Sequence, residues 1–134
     1  MDASLKHLRI VHLALLVSLA MYAWMGEWVR KEPKTFDPTF FKTMVILAFV
    51  STAIVLFIRI RVLSAAEERL QPESADVAAL QRWRVFHILS FALCESIGLY
   101  GIVVRLVAGA SFSQAVGFYA GAIGLMLLST PRRP

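Results

Sequence analysis

Four long apolar runs constrain the fold of this chain more than any other feature of its sequence. They cover approximately residues 8–29, 40–63, 85–108 and 112–130. A helix needs about 20 consecutive apolar residues to cross the hydrocarbon core of a bilayer. We therefore predict an all-α membrane protein whose single domain, residues 1–134, is an antiparallel bundle of four transmembrane helices.

The composition and charge favour lipid over nucleic acid as the partner. The chain is 58% hydrophobic and 17% charged, whereas soluble domains are about 45–50% apolar and about 25% charged. Its formal net charge is +5, but the basic residues flank the apolar runs. We therefore expect contacts with anionic headgroups, and no nucleic acid.

The distribution of lysine and arginine predicts the orientation in the membrane. With the N-terminus inside, nine basic residues fall on the inner side and five on the outer side. The inner set is Lys6, Arg9, Arg59, Arg61, Arg69, Arg82, Arg84, Arg132 and Arg133, and the outer set is Arg30, Lys31, Lys34, Lys42 and Arg105. The excess of positive charge on the inner side predicts cytoplasmic termini, and we expect a bacterial inner membrane.

Two of the predicted spans have recognisable ends. Tyr22, Trp24 and Trp28 near the end of the first span are typical of an aromatic belt. Asp37 followed by Pro38 indicates the start of the second helix, because an aspartate cap and a proline in the first turn suit a helix N-terminus.

The connection between the second and third spans, residues 64–84, predicts a long cytoplasmic helical hairpin. Strong helix formers in Ala65–Leu70 extend the second span. Gln71–Glu73 contains a proline that breaks the helix, and Ser74 can cap a new helix that runs into the third span. The hairpin is either a solvated connector or a docking site for a cytoplasmic partner.

Glu95 lies in the middle of the otherwise uncharged run 85–104 of the third span. A carboxylate at the bilayer centre costs at least roughly 2.5–3.5 kcal/mol. We expect Ser51 and Thr52 of the second span, and Ser18 of the first, to lie at a similar depth as hydrogen-bond partners. Such a carboxyl either cycles between neutral and ion-bound forms or stays neutral as a packing residue.

Arg105 is not expected to pair with Glu95. It lies ten residues further along the helix, which is about 15 Å at the helical rise, and on a different face. We expect Arg105 either to extend outward to the membrane surface or to meet Glu27 at the outer rim of the first span.

The stretch Glu95–Val104 (ESIGLYGIVV) resembles the ion-carrying helix of the rotary ATPase proteolipid, the c subunit of membrane rings. In that family, a glutamate before a Gly-Leu-Tyr-Gly-like stretch binds the transported proton or sodium ion. The resemblance implies that Glu95 is the ion-carrying carboxylate and that Tyr100 supports it nearby. Gln71-Pro72 is similar to the family's polar loop. The remainder of the chain departs from the family, with no glycine in the second span and a further span after the third.

Small residues predict the contacts between spans. Gly117, Gly121 and Gly124 lie on one face of the fourth span and include a GxxxG pattern, and Gly98 and Gly101 form a weaker stripe on the third. Small residues let helix backbones approach one another in lipid. These glycines predict tight packing of the third and fourth spans, with a homodimer contact as the alternative.

His12 and His87 share the inner leaflet in the predicted topology. They could be axial ligands of a b-type haem, or each could bond a carbonyl group or face the headgroups. The single cysteine, Cys94, lies within a span, so we expect neither a disulfide nor a metal site. No nucleophile–base arrangement is recognisable, so we do not expect an enzyme, and apart from haem we expect no cofactor.

Two functional hypotheses follow from the sequence. In the first, the chain is a proton- or ion-coupled component of a membrane complex, with Glu95 reversibly protonated. In the second, it is an accessory or scaffold subunit, or a homo-oligomer, whose Glu95 is a neutral packing residue. Four short-looped spans leave little room for a transport path, so both hypotheses imply self-association or a larger complex.

Overall fold

The computed structural model describes residues 2–29, 35–69 and 77–131, and these residues are helical apart from short connections. The described part of the chain contains no β-strand, so the all-α prediction is confirmed. The helices are α1 (Asp2–Val29), α2 (Pro38–Phe57), α3 (Ser64–Arg69), α4 (Val77–Leu106) and α5 (Phe112–Leu128).

Several sequence predictions concern residues outside the described ranges. They are the basic residues Arg30, Lys31, Lys34, Arg132 and Arg133 and the predicted helix break and cap at Gln71, Pro72, Glu73 and Ser74.

Three helical stretches are long and apolar enough to cross a membrane. They are Ala3–Val29, Pro38–Leu63 and Val77–Leu106. Helix α5 is shorter, with 17 residues, or roughly 25 Å at the helical rise, against a hydrocarbon core of about 30 Å. The fold is therefore that expected of a membrane protein with three helices of spanning length, and a fourth span at α5 remains a prediction.

Helix α2 begins where the sequence predicts. The Asp37 carboxylate accepts hydrogen bonds from the backbone N–H groups of Thr39 and Phe40, each at 3.1 Å. Pro38 occupies the first turn, where its missing N–H costs nothing. The cap satisfies donors that the helix itself cannot pair, which explains why the helix starts at this point.

Helix α2 continues without interruption through a π-helical segment, Ile58–Leu63, into α3. The Ser64 hydroxyl donates a hydrogen bond to the carbonyl of Arg59, five residues earlier, at 3.2 Å. This spacing matches the wider turn of a π-helix. The predicted helical extension beyond the second span is therefore present as far as Arg69.

Helix α4 is central, because it packs against each of the other helices and most extensively against α5 and α1. The backbones of α1 and α2 do not approach one another within the described ranges. His12 packs against Phe91, and Glu27 against Arg105, so α1 and α4 run in the same direction. Residue Asp37 contacts Ala108, so α2 runs opposite to α4.

Two glycines of α4 allow neighbouring helices to approach closely. A Cβ at Gly98 would collide with Leu19 of α1, and one at Gly101 would lie 2.7 Å from the ring of Tyr119 on α5. These two glycines therefore do pack against other helices, as small residues in membrane helices are expected to.

The glycines of α5 do not pack on the third span, contrary to the sequence prediction. Gly117, Gly121 and Gly124 are exposed, and a Cβ at any of them would meet no described atom within 4 Å. Helix α5 packs on α4 through its opposite face, where larger side chains fill the interface. The buried residues of that face are Ala115, Phe118, Tyr119, Ala122 and Met126.

Candidate functional site

One stripe of α4 faces α1 and contains the central carboxylate. Its members recur every three or four residues, the spacing that keeps side chains on one side of a helix. They are Phe91, Glu95, Gly98, Ile102 and Arg105, and their neighbours on α1 are, in the same order, His12, Tyr22, Leu19, Gly26 and Glu27.

The Tyr22 hydroxyl donates a hydrogen bond to Oε1 of Glu95 at 2.8 Å. Both side chains are half-buried. No other hydrogen bond to Glu95 is found among the described residues. The bond from Tyr22 can form with either protonation state, because a carboxylate oxygen and the carbonyl oxygen of a neutral carboxyl both accept.

The structure places the predicted hydroxyl partners elsewhere. The Thr52 hydroxyl donates to the carbonyl of Ala48 within its own helix at 2.8 Å, and Ser51 is buried on α2. Ser18 is half-buried on α1 and makes no hydrogen bond to Glu95. Glu95 faces α1, whose backbone lies away from that of α2, so the partner comes from the first helix.

Tyr100, which the proteolipid resemblance implies as a supporting group, is half-buried and packs against the core. It lies five residues after Glu95, or roughly 140° around the helix at 3.6 residues per turn. The tyrosine that contacts Glu95 is therefore Tyr22, while Tyr100 points in another direction.

Arg105 and Glu27 form a bidentate ion pair between α4 and α1. Arg105 Nε and Nη2 lie 2.5 Å and 2.7 Å from the two carboxylate oxygens of Glu27. Arg105 Nη1 also donates to the carbonyl of Ala110 at 2.9 Å. Of the two outcomes expected for Arg105, the contact with Glu27 is confirmed, and this cation is not the partner of Glu95. The expectation that Arg105 and Glu95 lie on different faces of the helix is wrong, because both contact α1. They are kept apart by the ten residues between them along the helix, about 15 Å.

The two histidines have different surroundings. His12 Nε2 lies 2.6 Å from the carbonyl oxygen of Met126, which is the carbonyl contact considered in the sequence analysis. Both ring nitrogens of His87 lack a hydrogen-bond partner among the described residues. The Phe91 ring lies 5.1 Å from that of His12 and 5.9 Å from that of His87, so both imidazoles pack against one aromatic side chain. A haem ligated by the pair remains a prediction.

Sequence reasoning grouped Tyr22 with the aromatic belt and so missed its contact with Glu95. Trp24 and Trp28 are exposed and stacked, with ring centroids 6.2 Å apart, whereas Tyr22 lies on the opposite face. A regular three-and-four spacing on α1 contains the missed information, because it defines one inward stripe. That stripe is Leu5, Leu8, His12, Leu15, Leu19, Tyr22 and Gly26.

The chain matches no protein-family model, no curated protein and no solved structure.

Within the described ranges, no three histidine, cysteine, aspartate or glutamate side chains are grouped as a metal site would require. The candidate site therefore consists of Glu95 and Tyr22, with the ion pair of Arg105 at one end of α4 and the histidines toward the other.

Proposed function

We propose that the protein is a small integral membrane protein in which Glu95 reversibly binds a proton or another cation, as a component of an ion-coupled membrane complex. The observation that carries this proposal is the hydrogen bond from Tyr22 to Glu95 in the middle of a helix of spanning length.

The depth of Glu95 supports this proposal. Arg84 and Arg105 are the charged residues of α4 on either side of Glu95, and they are 21 residues apart. This separation is roughly 31 Å along a helix, close to the hydrocarbon thickness of about 30 Å. Glu95 lies almost midway between the two arginines, where an ionisable group is expensive and is usually functional.

The bonding of Glu95 also suits reversible protonation. One oxygen accepts from Tyr22, and among the described residues no cation is hydrogen-bonded to the carboxyl. A proton can therefore join or leave Oε2 without breaking the bond that orients the side chain. A permanent ion pair would instead hold the carboxylate in its charged form.

The partial exposure of Glu95 within one chain supports an assembly. A half-buried carboxyl at mid-membrane depth would face lipid in an isolated protomer, which is costly. A second copy or a larger complex would cover it. This arrangement agrees with the resemblance to the proteolipid, whose carboxylate helix works in a ring.

The distribution of basic residues supports cytoplasmic termini in a bacterial inner membrane, with α5 as the fourth span and a cytoplasmic hairpin after α2. Among the described residues, the end formed by the start of α1 and α4 carries most of the positive charge, which marks the inner side. Its basic residues are Lys6, Arg9, Arg59, Arg61, Arg82 and Arg84, against Lys42 and the ion-paired Arg105 at the other end.

Carbodiimide labelling tests the ion-coupled function. A hydrophobic carbodiimide reacts with a protonated carboxyl in the membrane, so Glu95 should be labelled, and the labelling should fall as the pH rises. Glu27, which is held in the ion pair with Arg105, is the internal control and should stay unlabelled. Glu95→Gln should fold normally and lose both the label and the function of the complex. Labelling that does not change with pH would contradict reversible protonation.

The second candidate function is that of a scaffold subunit or homo-oligomer, which assembles through the exposed glycines of α5. Gly117 and Gly121 line an open groove together with Phe41, Val45 and Thr52 of α2. Because a Cβ at Gly121 meets no described atom within 4 Å and the groove beside it is open, Gly121→Leu should leave the protomer folded. Loss of the oligomer in mild detergent would then report an intermolecular contact, whereas an unchanged oligomer would reject this interface.

A further inference from the structure

Trp83 and His87 are enclosed in the half of the bundle that contains the start of α4. Trp83 is 0% exposed and His87 is 3% exposed. Their rings meet edge to face, with centroids 4.9 Å apart. Three nitrogen atoms of the pair, Trp83 Nε1 and both ring nitrogens of His87, have no hydrogen-bond partner among the described residues.

Polar groups buried in this way are rare, because each loses its bonds to water without gaining others. The loss is more serious in a membrane, where lipid offers no hydrogen bonds. His12 provides the contrast within the same bundle. It is 7% exposed, about as enclosed as His87, but its Nε2 lies 2.6 Å from the carbonyl of Met126.

We infer that Trp83 and His87 form an internal water-binding site. The Trp83 indole supplies a donor, and a neutral His87 imidazole supplies one donor and one acceptor. In number, these groups meet the two or more polar partners that a buried water molecule requires. The buried Phe91 ring packs beside His87, with the two ring centroids 5.9 Å apart.

The site deepens the proposed function, and its role in ion coupling rests on that function. His87 precedes Glu95 by eight residues, which is about 12 Å along α4. Water bound at His87 would bring a proton-carrying molecule from the basic end of the bundle into the interior occupied by Glu95. Ser90 and Cys94, both buried, lie between these two depths.

Deuterium exchange at the imidazole C2 position, measured by mass spectrometry in lipid nanodiscs, tests the site. The chain has three histidines, and the other two serve as internal references for His87 because they differ from it in exposure or bonding. His7 is exposed and sets the rate for free access to water. After each rate is corrected for that ring's own pH dependence of exchange, His87 should exchange at least about tenfold faster than His12, which must open locally before it exchanges. Equal protection of His87 and His12 would overturn the site.

Two further measurements separate this inference from the proposed function. In Glu95→Gln, exchange at His87 should be unchanged, because the water site does not depend on the carboxyl. Rapid exchange at His87 together with pH-independent labelling of Glu95 would support the water site and reject ion coupling. Slow exchange at His87 together with pH-dependent labelling of Glu95 would reject the water site and support ion coupling. A Soret band in the purified protein would overturn the inference, since it would assign His87 to haem.

Discussion

Arg105 of α4 donates two hydrogen bonds to the carboxylate of Glu27 on α1, at 2.5 Å and 2.7 Å. A third nitrogen of the same guanidinium binds the carbonyl of Ala110, just beyond the end of α4. The planar fork of arginine makes this three-way contact possible, whereas lysine would offer only a point charge. The pair connects α1 and α4, the two helices that carry Tyr22 and Glu95.

Replacing Glu27 by alanine should destabilise the protein more than replacing Arg105 by methionine. The Arg105 side chain is 9% exposed and Glu27 is 38% exposed. Loss of Glu27 therefore leaves the buried positive charge of Arg105 without its partner. We expect a loss of about 1–3 kcal/mol, below the full cost of breaking a completely buried pair. Thermal unfolding can be followed with a thiol-reactive dye, because the only cysteine, Cys94, is buried.

A double-mutant cycle provides the control for this ion pair. Glu27→Ala combined with Arg105→Met should recover much of the loss, since neither charge is then left unpaired. Strictly additive losses would show that the two residues act independently.

Tyr22→Phe should remove the bond to Glu95 and little else. We expect a loss of roughly 0.5–1.5 kcal/mol in the free energy of unfolding, the usual contribution of one hydrogen bond. The infrared carbonyl band of protonated Glu95 should also move to higher wavenumber. Tyr100→Phe is the matched control, because the Tyr100 hydroxyl makes no bond to Glu95. A larger effect at Tyr100 would place the supporting group where the proteolipid resemblance implies it.

Gly101→Ala and Gly121→Ala should have opposite effects on the protomer. A Cβ at Gly101 would lie 2.7 Å from Tyr119 and 3.0 Å from Phe118, so we expect overpacking to cost about 1–3 kcal/mol. At Gly121 the space is open, and alanine should stabilise the helix by up to about 1 kcal/mol. Unfolding of both variants as dilute monomers in detergent measures the difference. Equal effects would refute the described packing of α5.

Asp37→Ala should weaken the start of α2. The carboxylate accepts two backbone N–H groups, and loss of such a cap costs about 1 kcal/mol. Asp37→Asn should retain most of the stability, because its side-chain oxygen can accept the same bonds. If Asn were as destabilising as Ala, charge and not capping would be responsible. Thermal unfolding and hydrogen exchange at Thr39 and Phe40 distinguish these outcomes.

Much of the helical organisation is local information. Asp37 and Pro38 start α2 because a capping side chain acts within its own helix, and the helix formers after Leu63 carry the second helix onward. Glu27 and Arg105 could be expected to meet because the first and third predicted spans run in the same direction and each residue lies near the end of its span. The position of a residue along its helix follows from counting residues, so the central position of Glu95 could also be predicted from the sequence.

The sequence by itself therefore determined that the chain is helical and that three stretches are long and apolar enough to cross a membrane. It also determined how far each polar residue lies along its helix. Only the tertiary structure decided which helix faces Glu95, that Tyr22 is its partner, and that no described residue covers the glycines of α5. The physical reason is that lipid and neighbouring helices are equally apolar, so hydropathy does not fix how a membrane helix is rotated about its axis. That rotation is set by contacts between helices, such as Leu19 against Gly98 and Tyr119 against Gly101.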